Sequence, residues 1–112
     1  MEEVVGSLRK LTPSCNKDDI ERASRVICKL GKSRPEEIGS ITRTWCVEFM
    51  SGIGKELAFL YVVNDVVQKT RRDGNFGFEF GRVLGEAFGK ARERNRRILP
   101  KMERIVNIWK TR

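Results

Sequence analysis

Histidine is absent from the 112 residues. That removes the usual general acid–base group, the Ser–His and Cys–His nucleophile pairs and most zinc sites. Cysteine is scarce and unpaired. Cys15, Cys28 and Cys46 stand alone with no Cys-x-x-Cys spacing, and they read as reduced, intracellular core fillers. Long apolar runs are missing too. The longest, Leu57 to Val63, has seven residues, whereas a membrane span needs about 20. The opening Met1-Glu2-Glu3 lacks the basic and apolar regions of a secretory signal. No repeat, low-complexity tract or long linker interrupts the chain. Its length predicts a single domain over residues 1–112, large enough to form a core without disulfides or metal.

What is present is charge in one place and helical periodicity nearly everywhere. Of the net +8, residues 82–112 carry ten basic and three acidic side chains, while residues 1–81 are nearly balanced at 13 and 12. A basic surface confined to the C-terminal quarter attracts an anionic partner: nucleic acid, an acidic membrane, or a phosphorylated or acidic peptide.

The punctuation predicts six or seven short helices in an all-α fold. The first runs from Glu2 to about Lys10 and ends at Thr12-Pro13. A second starts at Asn16, a good N-cap with Asp18 and Asp19 in the first turn, and stops at Gly31. It places Ile20, Ala23, Ile27 and Leu30 on one face. Ser33-Arg34-Pro35-Glu36 has the pattern of a capping box and predicts a third helix with Ile38, Ile41, Trp45 and Phe49 on its inner side. Lys55 to Thr70 is apolar almost all round and reads as a central, enclosed helix. Asp73-Gly74 marks a turn. Phe80, Val83, Leu84, Ala87, Phe88 and Ala91 form another amphipathic stretch, weakened by Gly77, Gly81, Gly85 and Gly89. Pro100 suits the opening turn of a last helix, whose apolar side is Ile98, Met102, Ile105, Val106 and Trp109.

Few constellations carry chemistry. Ser51-Gly52-Ile53-Gly54-Lys55 only faintly resembles a phosphate-binding loop. Phe49 stands where a Walker A glycine is required and Glu56 where Ser or Thr is required. A turn using glycine for positive φ is the simpler reading. Asn64-Asp65 interrupts the most apolar helix, and two readings fit. The pair lies on an exposed strip or bonds internally, or it lines a groove with Tyr61, which shares its face at three- and four-residue spacing. On the last helix, Lys101, Arg104, Ile105, Ile108 and Arg112 flank the core stripe. Cations alternating with branched apolar residues suit an anionic peptide that also carries hydrophobic groups. An ordinary solvated face fits as well. Arg92, Arg94, Arg96 and Arg97 read as a solvated or steering patch.

Three blocks resemble a known family. Leu57-Ala58-Phe59-Leu60-Tyr61-Val62-Val63-Asn64-Asp65-Val66-Val67-Gln68 is similar to the central helix of the CTD-interacting domains (CIDs), which bind the C-terminal repeat tail of RNA polymerase II. Phe78-Glu79-Phe80 with Val83-Leu84 and Ala87-Phe88 resembles their fifth and sixth helices. Glu103-Arg104-Ile105-Val106-Asn107-Ile108-Trp109, closed by Arg112, resembles their seventh. The likeness is greatest to the subgroup of termination factors and regulators of nuclear pre-mRNA synthesis.

The resemblance implies a right-handed superhelix of about seven short helices, with the family's eighth having no counterpart before Arg112. It implies a nuclear phosphopeptide reader; an enzyme is the least expected reading on the residues themselves, with no histidine, no metal constellation and no nucleophile beside a base, and no cofactor or metal is expected. The ligand would be the serine-phosphorylated heptad Tyr-Ser-Pro-Thr-Ser-Pro-Ser, bound in transcription termination or RNA 3′-end processing. Asp65 would hydrogen-bond the heptad tyrosine, with Tyr61 and Asn64 lining the groove and Asn64 near the peptide backbone. Ile105 and Ile108 would form an apolar wall. Arg104, assisted by Lys101, would grip the phosphate on the second-position serine, and Arg112 would lie near the downstream end. The turn at Cys15 and Asn16 would close the other side, although relatives carry Asn-Ser there. The alternative function is RNA binding through the basic C-terminal quarter. A membrane-adaptor role rests on fold analogy alone and does not account for Asn64-Asp65 with Arg104.

Overall fold

The computed structural model describes residues 1–72, 75–94 and 96–111, with backbone alone at positions 98, 106 and 108–111. The described residues form six α-helices and no strand: α1 (Glu2–Arg9), α2 (Lys17–Ser33), α3 (Ile38–Ser51), α4 (Glu56–Lys69), α5 (Asn75–Arg94) and α6 (Leu99–Thr111). Short 3-10 turns at Pro35–Glu37 and Arg96–Ile98 lead into α3 and α6. The all-α class follows the sequence closely. The expected Asp73-Gly74 turn and Arg112 lie outside the described residues.

Local chemistry explains most of the boundaries. Asn16 Oδ1 accepts from the backbone N–H groups of Asp18 and Asp19 at 2.9 and 3.2 Å, capping α2. Gly54, at φ +88°, supplies the left-handed residue of the α3–α4 turn. The neighbouring Lys55 Nζ donates to the Arg9 carbonyl at 3.4 Å, tying that turn to the end of α1.

Three expectations need correction. Gly31 does not stop α2, which continues to Ser33. It sits in the helix because the Phe76 ring presses against it: an added Cβ would lie 2.5 Å from that ring. The capping box does not form either. Ser33 is still helical, and the Pro35–Glu37 turn starts from Arg34 without a side-chain cap. The region that resembles two family helices is one continuous α5 of 20 residues. Its exposed glycines lower helix propensity but leave no gap for the ladder to break.

The core lies around α4. This helix packs against α2 on one side and α6 on another, and also touches α3 and α5; α3 packs in turn on α5 and α1. Ala58, Phe59, Leu60, Val62, Val63 and Val66 of α4 are all buried, as its all-round apolar sequence demands. Trp45 sits among Phe49, Phe59 and Phe80, with ring centroids 5.2, 6.1 and 5.5 Å away. Its indole N–H donates to the Phe59 carbonyl at 3.1 Å, so the buried polar tip is satisfied. None of the described helices is long and apolar enough to cross a membrane.

Candidate functional site

The packing of α4 against α2 and α6 leaves one strip of α4 outside the core, and Tyr61, Asn64 and Asp65 occupy it. Tyr61 is 42% exposed, unusually open for a large aromatic on the most buried helix. Asn64 and Asp65 are half-buried. Both have partners one turn on: Gln68 Nε2 donates to Asn64 Oδ1 at 3.1 Å, and Lys69 Nζ lies 2.9 Å from Asp65 Oδ2. The Lys69 contact is an ion pair by distance but is poorly aligned as a hydrogen bond. Asp65 Oδ2 is buried without a hydrogen-bond donor directed at it. The Lys69 ammonium therefore neutralises the carboxylate.

The adjoining helix α6 buries Met102 and Ile105 and leaves Lys101 and Arg104 exposed. Neither cation is in an ion pair or hydrogen bond with any described residue, so both are open to an external anion. Ile105 is 8% exposed and belongs to the core cluster. It therefore lies on the core stripe, as the apolar side of the last helix predicts, and its place on the flanking face is corrected because so little of it is exposed. Ile108 follows Arg104 by one turn on the α6 backbone; its side chain lies outside the described residues, as does Arg112.

The α1–α2 loop approaches the first turn of α6. Burial pushes the Cys15 thiol above its ordinary value, and the charge of Lys101 pulls it partly back, so the two lie within electrostatic reach. Cys15 itself holds φ +56°, a left-handed conformation that bends the chain into α2. Asn16 is exposed beside it, but its side-chain oxygen is engaged as the α2 cap. Only its NH2 is left to face a ligand.

Sequence reasoning missed the α2 contribution. The Cys28 thiol is raised chiefly by burial, eased by Ser24 and Lys69, and raised further by Asp65. Those four side chains therefore form one cluster between α2 and α4. Ser24 Oγ lies near Cys28 but makes no well-formed hydrogen bond and is completely buried. The four-residue spacings Ser24–Cys28 and Asp65–Lys69 were the available signal. The patch reading of the basic run is also corrected at Arg94, which is 14% exposed and paired with Glu56.

The comparisons with known proteins fit this arrangement. Two curated proteins, both named Regulation of nuclear pre-mRNA domain-containing protein 1B, from Mus musculus and Homo sapiens, are each 39% identical to this chain over 77 residues. The matched stretch is 66% of this chain and 24% of each relative, so it spans about a quarter of their length. No solved structure gives a significant match. The CID domain, a protein-interaction family, matches residues 3–112. That match takes in the all-helical frame, the polar strip of α4 and the outward cations of α6 together, and the chain belongs to the CID domain family.

Proposed function

We propose that this chain binds the serine-phosphorylated repeat tail of RNA polymerase II, acting in the nucleus in transcription termination or RNA 3′-end processing. The observation that carries the reading is the pairing of two surfaces across the α4–α6 contact. One is a polar strip with an exposed tyrosine and a half-buried carboxylate. The other is a pair of cations, Lys101 and Arg104, without acidic partners among the described residues. Family membership supports it, and so does the printed name of the curated relatives, which ties them to regulation of nuclear pre-mRNA.

On this reading Asp65 accepts a hydrogen bond from the heptad tyrosine, Asn64 meets the peptide backbone and Tyr61 lines the groove. Arg104, with Lys101, holds the phosphate. Ile105 and Ile108 back the apolar residues, Arg112 lies downstream and Asn16 closes the α2 side. Phosphoserine brings about −1.5 to −2 charges, matched to an Arg fork. A charge-assisted hydrogen bond contributes roughly 1.5–3 kcal/mol. One such contact would favour the modified tail by roughly tenfold to a hundredfold.

Fluorescence anisotropy with two-repeat peptides, unmodified and phosphorylated on the second- or fifth-position serine, tests this. A phosphorylated form should bind more tightly, and Arg104→Ala should abolish the difference while circular dichroism stays unchanged. Indifference to Asp65→Asn and Arg104→Ala, with steep salt dependence spread over many basic residues, would point to RNA instead.

A further inference from the structure

The turn between α1 and α2 presents a hydroxyl that neither the fold nor the groove uses. Leu11 is buried and anchors one end of the turn, and Asn16 caps α2 at the other. Between them Thr12, Pro13 and Ser14 are all exposed. The Cys15 N–H donates to the Thr12 carbonyl at 3.1 Å, closing the turn with Pro13 at its second position. The Thr12 hydroxyl meets only that of Ser14, at 2.7 Å, so it holds no helix in place. Of the three prolines, Pro13 alone follows a serine or threonine; Pro35 follows Arg34 and Pro100 follows Leu99. The sequence therefore has one serine/threonine–proline step, and the fold leaves it on the surface.

We infer that Thr12 is a phosphorylation site for a proline-directed kinase, and that its phosphate competes with the peptide's phosphate for Lys101 and Arg104. The inference rests on the function proposed above and adds a regulation of that site. In the modifying step Thr12 Oγ1 attacks the terminal phosphorus of a magnesium-bound nucleoside triphosphate held by the kinase. The new O–P bond forms as the bond to the nucleoside diphosphate breaks, and the hydroxyl proton passes to a carboxylate of the kinase. The product places about −1.5 to −2 charges on a turn that carries none. The turn runs into Asn16, which closes the α2 side of the groove, so the new charge stands at the edge of the peptide. The charge of Lys101 already reaches the Cys15 side chain at the end of this turn. Lys101 is exposed on a flexible four-carbon stem, and neither it nor Arg104 has an acidic partner among the described residues. A phosphate on Thr12 supplies one from within the chain. It also repels a second phosphate brought by the peptide.

The test has two arms. In the first, the folded chain and its Thr12→Val variant are incubated with a proline-directed serine/threonine kinase and magnesium ATP, and mass spectrometry locates the phosphate. Thr12 should be the main acceptor, and the variant should lose most of the incorporation; a chain left unmodified at Thr12 overturns the site. In the second arm, a peptide thioester of residues 1–14, with or without phosphothreonine at position 12, is ligated to Cys15 of the remaining chain. Ligation there leaves an ordinary peptide bond, and circular dichroism checks that both full-length products fold alike. By fluorescence anisotropy, phosphothreonine should weaken binding of the phosphorylated heptad peptide by about threefold to tenfold. The loss should shrink as salt is raised, and the unmodified peptide should shift by less than about twofold. In a Lys101→Gln background the same modification should cost less, because one of the cations it neutralises is gone. Equal Kd with and without phosphothreonine overturns the competition and leaves the groove reading standing. If no phosphorylated peptide binds the unmodified chain, the groove reading fails and the competition fails with it.

Discussion

Glu56 and Arg94 meet at 3.9 Å between the first turn of α4 and the end of α5, with only 4% and 14% of their side chains exposed. Arg94 Nη1 also donates to the Phe49 carbonyl at 3.4 Å, near the end of α3. A single guanidinium therefore ties three helix ends. Glu56 is placed where the α4 dipole favours a negative charge. Within the basic quarter of the chain, this arginine holds the fold while its neighbours Arg92 and Arg96 face solvent.

Removing one partner of a buried ion pair leaves the other charge stranded, which usually costs about 3–5 kcal/mol. The long separation here and the residual exposure of Arg94 place Arg94→Ala nearer about 2–3 kcal/mol. The double variant Glu56→Gln with Arg94→Met should recover much of that loss. Urea unfolding of the three proteins measures it. Arg92→Ala, on an exposed position, should change stability by less than about 0.5 kcal/mol.

Gly31 and Gly85 should respond to alanine in opposite directions. At Gly31 the new methyl would sit 2.5 Å from the Phe76 ring, which is itself buried. Overpacking of this kind costs about 1–3 kcal/mol and outweighs the gain of about 1 kcal/mol in helix propensity. At Gly85 nothing lies within 4 Å of the added atom. Gly85→Ala should therefore stabilise the chain by about 0.5–1 kcal/mol. Thermal melts of the two variants decide the point, and a stabilised Gly31→Ala would mean that the Phe76 ring moves aside freely.

That contrast also marks what the sequence could tell. Local signals read correctly: Asn16 with Asp18 and Asp19 makes a cap wherever the chain goes, and the apolar run from Leu57 has to be enclosed. Gly31 was misread as a stop because its reason for being glycine, the ring of Phe76, lies 45 positions away. The third-helix capping pattern failed because α2 keeps Ser33 for itself. At the site, the α4 strip and the α6 cations were legible from their spacing. The tie of Arg94 to Glu56 and the neighbourhood of Ser24 and Cys28 were not, since each depends on which helix packs where.

Substitution of Asp65 should separate binding from folding. Its partner Lys69 is half-exposed, and an i,i+4 pair of that kind contributes only about 0.3–0.5 kcal/mol. Asp65→Asn should therefore leave the urea midpoint almost unchanged. Phosphorylated heptad peptide should nevertheless bind at least about tenfold more weakly, because the amide is a poorer acceptor for a tyrosine hydroxyl than the carboxylate. Loss of stability in parallel with affinity would assign Asp65 to the fold alone.

The three thiols predict the response to alkali. Burial pushes Cys15, Cys28 and Cys46 above the ordinary thiol value of 9.0. The native state therefore holds these protons more tightly than the unfolded chain does. Below the ordinary value both states are protonated, and the contribution to stability is fully present. As pH rises past it, the unfolded chain releases its protons first, so stability falls until the native thiols also ionise. Urea midpoints measured between about pH 8 and pH 10 should decline accordingly. Cys46 is the most enclosed of the three, at 4% exposure. Cys46→Ala should lower stability at neutral pH through the lost packing and flatten the alkaline decline relative to the unaltered chain. Every other titratable group is common to both proteins, so the difference between the two slopes isolates the Cys46 thiol. Equal slopes would mean that Cys46 holds its proton no more tightly in the folded chain than in the unfolded one.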